Sequence, residues 1–274
     1  MLQMETSSIN ELKFVKSVEV VPHKNLDLDD FREAAALLSD VADVVTAPEN
    51  PMGLPGIDPV ISTYLVAREY NLIAMPHITP RDKNRLYIHS QVITALKIGI
   101  RNFFVIGGDP INKKLQSREV REIDVLQTID SIRKSEAFLK EPLPKIGIGS
   151  AFNPYREVEQ EIMAKKLENG SNFFISQILF DSEHLKKEWI RNRSFRLSAG
   201  FMPLTRKGQI EGIKKMGVKF SEETLKKLDQ ADDIMAVSTR MILDAYDDAK
   251  EYLDGIHVMP LGNNRLAKQI LESI

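Results

Sequence analysis

The regular alternation of short β-rich segments with longer helical segments constrains the fold of this chain more than any other feature. Each β-rich segment is largely apolar, and the segments between them carry apolar residues at helical spacing. Because parallel strands are joined by crossover helices, this order predicts a parallel α/β architecture. The candidate strands occupy residues 15–22, 41–46, 71–79, 101–108, 145–152, 172–180, 196–204 and 255–262.

Four of the intervening segments have a clear helical pattern of apolar residues. They cover residues 29–40, 84–99, 156–170 and 238–255. A glycine follows the last apolar position in three of these segments, as is typical of a helix end. These glycines are Gly99, Gly170 and Gly255.

Eight strand–helix units in 274 residues match the size of a closed (β/α)8 barrel, for which about 250 residues are typical. A doubly wound sheet would more often have a glycine-rich phosphate turn after its first strand, and SVEVVPHKN (17–25) has none. The segment 208–236 is longer than one crossover helix requires, so we expect an extra helix at SEETLKKLDQ (221–230). The sequence therefore predicts a single TIM-barrel catalytic domain over residues 1–274.

The composition excludes several classes of function. The chain has no cysteine, which rules out disulfides, thiolate nucleophiles and cysteine metal sites. Its 37 basic and 39 acidic residues give no basic surface for nucleic acid. No apolar stretch approaches the roughly 20 residues of a membrane helix, and MLQMETSSINELK lacks the layout of a signal peptide. We therefore expect a cytoplasmic protein that binds neither nucleic acid nor a membrane.

Two further expectations concern metals and assembly. The five histidines have no spacing typical of a metal site, so we expect no bound metal. Barrel enzymes often associate through their outer helices, so a homo-oligomer is expected.

Residues at the ends of the strands are the candidates for chemistry, because TIM-barrel active sites lie on the loops after the carboxyl ends of the strands. Glu19 lies within the first strand between valines, on the same face as Ser17. A carboxylate in such a setting either pairs with a cation or has a raised pKa. Glu19 is thus a candidate general acid, and a salt bridge inside the barrel is an equally good alternative.

Asp109 ends the fourth strand, RNFFVIGGDP (101–110), after two glycines. Glycines at Gly107 and Gly108 would let the backbone approach a flat ligand, and Pro110 favours an extended conformation at Asp109. The alternative is a turn that only terminates the strand, and taken alone this motif favours that alternative.

Other polar residues occupy similar positions. Thr46, His77 and Thr79 lie at the ends of their strands, although a lone histidine is more often a structural hydrogen-bonder than a ligand or base. The Pro- and Gly-rich loop 46–59 is a candidate lid or substrate wall, and an inert turn is the alternative. Gln177 is the one primary amide in the apolar strand NFFISQILF (172–180). Its donors and acceptor suit the edge of a pterin or purine, while a bond to neighbouring backbone or to the Ser176 hydroxyl is equally compatible.

Five segments taken in order resemble the methylenetetrahydrofolate reductase family. They are SVEVVP (17–22), MPHIT (75–79), VIGGDP (105–110), ISQILFD (175–181) and AGFMPL (199–204). They extend over nearly the whole chain, and their order and barrel-like spacing are more specific than any one of them.

The resemblance implies roles for individual residues. Glu19 corresponds to the proton donor of the family, Asp109 to a catalytic and substrate-binding carboxylate near the flavin ring, and Gln177 to the folate-binding amide. Lys165 and Lys166 match basic positions near the flavin diphosphate, although a solvated lysine face is an alternative. The cofactor contacts implied in this way are Thr46, His77, Thr79, Gly108, Asp109, Phe152, Asn153, Lys165 and Lys166.

The resemblance also implies an activity. Family members reduce the methylene bridge of a folate to a methyl group, with hydride taken from NADH or NADPH through bound FAD. The partners expected are therefore a reduced folate or related pterin and a nicotinamide nucleotide. Two alternatives stay open: direct, flavin-independent hydride transfer to the same substrate, and a pterin-binding methyl-transfer or accessory subunit.

This sequence departs from the family pattern at three places. Gly107 stands where the family has an arginine before Gly-Asp. The segment after the fifth strand is shortened to AFNPYRE (151–157), with Asn153 near the position of a family histidine. The last strand ends in Met259-Pro260-Leu261 instead of Tyr-Thr-Leu. These departures fall mainly on cofactor contacts.

Overall fold

The computed structural model describes residues 8–21, 27–140 and 145–274. Its eight strands are all parallel and pair in sequence order, and the last strand pairs with the first to close a barrel. The predicted (β/α)8 fold is therefore confirmed. The strands are β1 (Val15–Glu19), β2 (Val44–Ala47), β3 (Ile73–Ile78), β4 (Asn102–Val105), β5 (Gly147–Phe152), β6 (Phe173–Ile178), β7 (Arg196–Phe201) and β8 (Gly255–Val258).

Helices surround the barrel and connect successive strands. Two helices, α7 and α8, precede α9 between the last two strands, so the predicted extra helix at residues 221–230 is confirmed. In the described residues the helices are α1 (Leu28–Leu38), α2 (Pro59–Tyr70), α3 (Arg85–Lys97), α4 (Val125–Lys134), α5 (Glu159–Asn169), α6 (Glu188–Arg191), α7 (Gln209–Lys215), α8 (Glu222–Asp229), α9 (Ile234–Ala249) and α10 (Asn264–Ser273).

Short polar side chains begin most of the longer helices. Asp58 accepts hydrogen bonds from the first amides of α2, which has Pro59 in its first turn. Asp124 and Gln127 form a reciprocal capping box at the start of α4. Asp233 caps α9, which starts at Ile234, four residues earlier than the apolar pattern predicted.

Two of the three glycines predicted to end helices do so. Gly99 and Gly170 have positive φ angles of 103° and 119° just beyond α3 and α5. The prediction for Gly255 was wrong, because α9 ends at Ala249 and Gly255 begins β8. A Cβ atom on Gly255 would lie only 2.5 Å from the carbonyl oxygen of Val15, so strand packing requires glycine there.

Alternation along the strands separates two apolar layers. Outward side chains such as Val18 and Val20 pack against the helices, while Val15, Val44 and Met75 belong to a smaller cluster inside the barrel. Ile9, in a 3-10 turn before β1, joins the inner cluster. The amino-terminal end of the barrel is thus filled, and free space remains at the carboxyl end.

Two earlier predictions reach residues that the structure does not describe. Pro22, the predicted end of the first strand, and His23, one of the five histidines, lie outside the described residues. Among the helices of the described ranges, none is long and apolar enough to cross a membrane.

Candidate functional site

A cavity of about 690 Å³ opens at the carboxyl ends of the strands. Six strands or the residues after them contribute to its wall, together with the start of α4 and one face of α5. Its lining residues are Glu19, His77, Phe104, Val105, Ile106, Gly107, Asp124, Val125, Leu126, Ala151, Phe152, Asn153, Arg156, Ile162, Lys165, Lys166, Ile175, Ser176, Gln177, His257 and Met259. This is the end of a TIM barrel at which catalytic residues are found.

Glu19 is the acidic side chain of β1 that reaches this cavity. It lies on the inner face with Ser17, as alternation predicted, and its neighbour in the β1–β2 ladder is Thr46. No hydrogen bond or ion pair to Glu19 is present within the described residues, so the alternative of a salt bridge inside the barrel finds no partner there. Burial, and secondarily the negative charge of Asp109, raises the pKa of the Glu19 carboxyl from 4.5 to about 7.

Two buried histidines form the floor of the cavity near Glu19. Burial lowers the pKa of His77 to about 3, with a smaller contribution from His257. Burial likewise lowers the pKa of His257 to about 4, so both rings are neutral at physiological pH. In the described part of the chain, neither ring nitrogen of His77 has a hydrogen-bond partner. A buried polar group in this state is suited to a ligand.

Ser17 fixes the orientation of His257. The Ser17 hydroxyl lies 2.9 Å from the carbonyl oxygen of Ile256 and 2.9 Å from His257 Nδ1. If the single hydroxyl proton goes to the carbonyl, which can only accept, then Nδ1 must donate to Ser17. That arrangement leaves His257 Nε2 as an acceptor.

A β-bulge places Gln177 and Ser176 on the same cavity. The pairing of β6 with β7 shifts register between residues 175 and 178, which inserts one extra residue into β6. The Ser176 hydroxyl accepts from the Gly200 amide at 2.8 Å and donates to the Gln177 carbonyl at 2.8 Å. At this bulge Ile175, Ser176 and Gln177 all line the cavity.

The Gln177 amide is bound to backbone in this structure. Its oxygen accepts from the Ile178 amide at 3.0 Å, and its nitrogen donates to the Met216 carbonyl, just beyond α7, at 3.3 Å. Both contacts are neutral hydrogen bonds that the edge of a ligand can replace, and one donor position on the nitrogen stays available.

Asp109 lies at the rim and does not line the cavity. Its carboxylate accepts a 2.7 Å hydrogen bond from the Met52 amide in the loop 48–58 after β2, and its carbonyl accepts from the Arg81 guanidinium. The side chain is exposed. Glu19 and Gln177 thus meet at the cavity, and Asp109 acts on Glu19 through its charge.

Three other predicted cofactor contacts lie outside the cavity lining. The Thr79 amide and hydroxyl both donate to the buried Glu49 carboxylate, at 2.7 and 2.8 Å. Gly108 has a positive φ of 79° and packs against Thr79 and Arg81. The Thr46 hydroxyl is buried beside Glu19 without a hydrogen-bond partner in the described residues. The roles assigned to these residues stay predictions.

The outer end of the cavity is lined by cations. Lys165 and Arg156 extend to it from α5 and the loop before it, and Lys166 donates to the Ala151 carbonyl. Burial lowers the pKa of Lys166. Phe152 and Asn153 also line this end, so these predicted contacts share one cavity.

Sequence reasoning missed three residues of the site. His257 carries a signal that could have been used, since alternation in β8 places it on the same face as Met259. Arg156 had no such signal, because an arginine in a turn is usually solvated. Arg81, a buried arginine behind the rim, looked like a loop charge in TPRDK (79–83).

The comparison with protein families decides the membership of the chain. The model of the family described as methylenetetrahydrofolate reductase matches residues 8–274. The chain belongs to the methylenetetrahydrofolate reductase family. The resemblance inferred from the five segments is therefore confirmed.

A curated relative is methylenetetrahydrofolate reductase 2 of Schizosaccharomyces pombe, which is 24% identical over 259 residues. The alignment covers 81% of this chain and 39% of the relative. The chain thus spans well under half of the length of that protein.

Solved structures with a similar fold have low sequence identity. A protein from Clostridium thermocellum, described as binding two copies of 5-methyl-5,6,7,8-tetrahydrofolic acid, is 12% identical with a TM-score of 0.70, covering 97% of this chain and 98% of that one. EDTA monooxygenase from Chelativorans sp. BNC1 is 10% identical with a TM-score of 0.56, covering 94% and 93%. At these identities the likeness concerns the fold alone.

Proposed function

We propose that this protein reduces the methylene group of a methylenetetrahydrofolate, or of a related reduced pterin, to a methyl group with hydride from NADH or NADPH. The observation that carries the proposal is a Glu19 carboxyl that has no partner among the described residues and a pKa raised to about 7, in the same cavity as the Gln177 amide. Membership of the methylenetetrahydrofolate reductase family supports the same reaction.

Glu19 supplies the proton. Opening the five-membered ring of the substrate breaks a carbon–nitrogen bond and gives an iminium cation, and the departing nitrogen must be protonated. Hydride then adds to the iminium carbon and completes the methyl group. An acid is most effective when its pKa lies near the working pH, and general acid catalysis typically contributes about 10²–10⁴-fold. A Glu19 carboxyl that is half-protonated near neutral pH meets this requirement.

Gln177 orients the substrate. A pterin edge offers neighbouring donors and acceptors, which a primary amide can match by exchanging its bonds to Ile178 and Met216. Asp109 contributes a negative charge at the rim that favours the cation. Holding the reacting atoms in line by such contacts can contribute several kcal/mol, on the order of 7 for well-aligned reactions.

A flavin cofactor fits the residues present. His77 offers two unpartnered nitrogens on the cavity floor, and Phe104 and Ile175 provide an apolar wall for a planar ring. Lys165 and Arg156 offer cations for phosphate at the outer end. We propose that these residues hold FAD. When bound, FAD would accept hydride from the nicotinamide nucleotide and pass it to the folate.

The purified protein tests this function through its absorbance and one assay. We expect a yellow protein whose flavin absorbance bleaches when NADH or NADPH is added and returns when methylenetetrahydrofolate follows. Methyltetrahydrofolate should form in equal amount to the nicotinamide oxidised.

Other outcomes would select the alternatives. A colourless protein that oxidises NADH or NADPH only with methylenetetrahydrofolate would favour direct hydride transfer. A colourless, inactive chain that binds reduced pterins would contradict reductase activity and favour a binding or accessory subunit.

A further inference from the structure

Arg81 is a buried side chain behind the cavity rim, where the loop after β3 meets the loop after β4. Its side chain is only 1% exposed, although it lies in the loop between β3 and α3. Its carbonyl oxygen accepts from the amides of Val120 and Arg121 at 2.8 and 3.3 Å, which ties the loop after β4 to it. A Cβ atom on Gly108 would lie 3.5 Å from the Cβ of Arg81, so the two loops are in van der Waals contact.

The Arg81 guanidinium binds the side chain of one aspartate and the backbone of another. Its Nε and Nη2 donate to the Asp82 carboxylate at 2.8 and 2.5 Å, in a bidentate pair. Its Nη1 donates to the backbone carbonyl of Asp109 and not to the Asp109 carboxylate. The positive charge is therefore paired with Asp82, while Nη1 fixes the backbone of Asp109.

The Asp109 carboxylate is therefore not paired with the Arg81 guanidinium. Within the described residues it accepts one hydrogen bond, from the neutral Met52 amide, and forms no ion pair. Glu49 and Glu119 are the other acidic groups whose charges act on Arg81, and each has its own cation, Lys83 and Arg121 respectively.

The loops that meet at Asp109 are closely fitted. Gly53, with a φ of 67°, accepts a 3.0 Å hydrogen bond from the Asn112 amide. A Cβ atom on Gly53 would lie only 2.0 Å from the Pro110 carbonyl oxygen. Asp109 is thus held on one side by the loop 48–58 and on the other by Arg81.

We propose that Arg81 is a positioning residue of this site: it fixes the backbone of Asp109 at the cavity rim, and its pairing with Asp82 keeps the guanidinium out of an ion pair with the Asp109 carboxylate, which the Met52 amide orients instead. The strand before Asp109 carries no cation of its own, since Gly107 and Gly108 precede it. The arginine that organises Asp109 comes instead from the neighbouring loop. This inference deepens the proposed function and relies on Glu19 as the acid on which the Asp109 charge acts.

The test measures the protonation of Glu19 directly and needs no turnover. The infrared band of the protonated Glu19 carboxyl, assigned by its loss in Glu19→Gln, is titrated in the wild type, Arg81→Lys and Asp109→Asn. Asp109 acts on Glu19 through its charge. The other titratable groups that line the cavity are His77, His257, Asp124, Arg156, Lys165 and Lys166. With pKa values of about 3 and about 4, the two histidines stay neutral while Glu19 titrates. Both variants should shift the midpoint downward, because each removes or displaces the negative charge at the rim. The shift in Arg81→Lys should be at least half of that in Asp109→Asn.

A matched control separates positioning from stability. Arg193 forms a similar ion pair with Asp254 at 2.7 Å, at the opposite end of the barrel, and its side chain is 9% exposed. Arg193→Lys should lower the Tm without moving the Glu19 midpoint. If Arg81→Lys behaves like Arg193→Lys, or if Asp109→Asn leaves the midpoint unchanged, the proposal is overturned.

A second variant covers the case in which Arg81→Lys does not fold. Asp82→Asn keeps the contact of Arg81 with the Asp109 carbonyl but leaves the guanidinium charge uncompensated, so the Glu19 midpoint should again fall. An unchanged midpoint in Asp82→Asn would contradict the proposal. A protein that shows all these shifts but reduces no folate would refute the proposed function and leave the role of Arg81 intact.

Discussion

Glu19 illustrates how a single residue acquires its chemistry from its surroundings. An ordinary glutamate is ionised at neutral pH, and this one has a pKa raised to about 7 because burial and the Asp109 charge disfavour its anion. Its position on the inner face followed from alternation in a strand of valines. Its protonation could not be predicted from sequence, since that depends on which side chains of the other strands lie near it. Within the described residues no cation forms an ion pair with Glu19.

The raised pKa of Glu19 predicts a pH-dependent difference in stability between the wild type and Glu19→Gln. A carboxyl that holds its proton more tightly when folded loses stabilising effect as pH rises from 4.5 to about 7. Because glutamine does not titrate, Glu19→Gln should become more stable relative to the wild type as the pH rises over this range. For a fully buried carboxyl, the gain in the free energy of unfolding of Glu19→Gln over the wild type would be about 3 kcal/mol. Because solvent reaches Glu19 through the cavity, we expect a gain of roughly 1 to 2 kcal/mol.

Urea unfolding of both proteins at pH 4 and pH 8 measures this effect. The stability difference between the two proteins is calculated at each pH, and the two values are then subtracted. This subtraction cancels the pH dependence that both proteins share, so that the contribution of Glu19 remains. Equal stability differences at the two pH values would mean that Glu19 has an ordinary pKa in the folded protein.

At the scale of elements, the loop 48–58 and the loop after β4 behave as one packed unit. Gly53 and Gly217 both have positive φ angles, of 67° and 85°, but only Gly53 faces a neighbour, the Pro110 carbonyl. The candidate lid predicted from the Pro- and Gly-rich composition is thus held by contacts to Asp109 and Asn112.

Replacing these two glycines by alanine tests that packing. Gly217→Ala should lower the free energy of unfolding by about 1 to 2 kcal/mol, from left-handed backbone strain alone. Gly53→Ala should lower it further and should make the loop 48–58 more susceptible to protease, because the added Cβ would be 2.0 Å from the Pro110 oxygen. Equal losses in the two variants, measured by urea unfolding, would show that the loop contact contributes nothing.

The bulge in β6 shows where prediction from sequence stops at this scale. The apolar run and its single amide indicated a strand with Gln177 near its end, and the structure agrees. The bulge that brings Ser176 onto the same cavity depends on Gly200 in β7, whose added Cβ would lie 2.3 Å from the Ser176 carbonyl oxygen. The position of this bulge depends on how β6 pairs with β7, and the sequence of one strand alone does not predict that pairing.

For the whole molecule, strand–helix alternation was enough to predict the closed barrel, because alternation leaves few ways to cover a parallel sheet. The rule that chemistry follows strand ends selected Glu19, His77 and Gln177, which share one cavity. The same rule could not predict the orientation of the Asp109 side chain, because that side chain accepts a hydrogen bond from Met52, 57 positions away in the sequence. That residues 1–274 form one catalytic domain stays a prediction.

The cavity as a whole combines residues of the strands with residues of α5 and the turn before it. Glu19, Gln177 and His257 belong to β1, β6 and β8, while Lys165 lies on α5 and Arg156 just before it. The strand residues suit the proposed folate, and the two cations suit an anionic group of the proposed cofactor.

The most direct test of the account compares two reactions of Glu19→Gln. Wild type, Glu19→Gln and Glu161→Gln, an exposed control on α5, are assayed for reduction of methylenetetrahydrofolate and for NAD(P)H oxidation by a quinone acceptor. We predict that Glu19→Gln loses folate reduction by about 10²-fold or more and keeps the quinone reaction near the wild-type rate, with Glu161→Gln unchanged in both. Equal loss of both reactions in Glu19→Gln, or unimpaired folate reduction, would contradict the assignment of Glu19 as the acid.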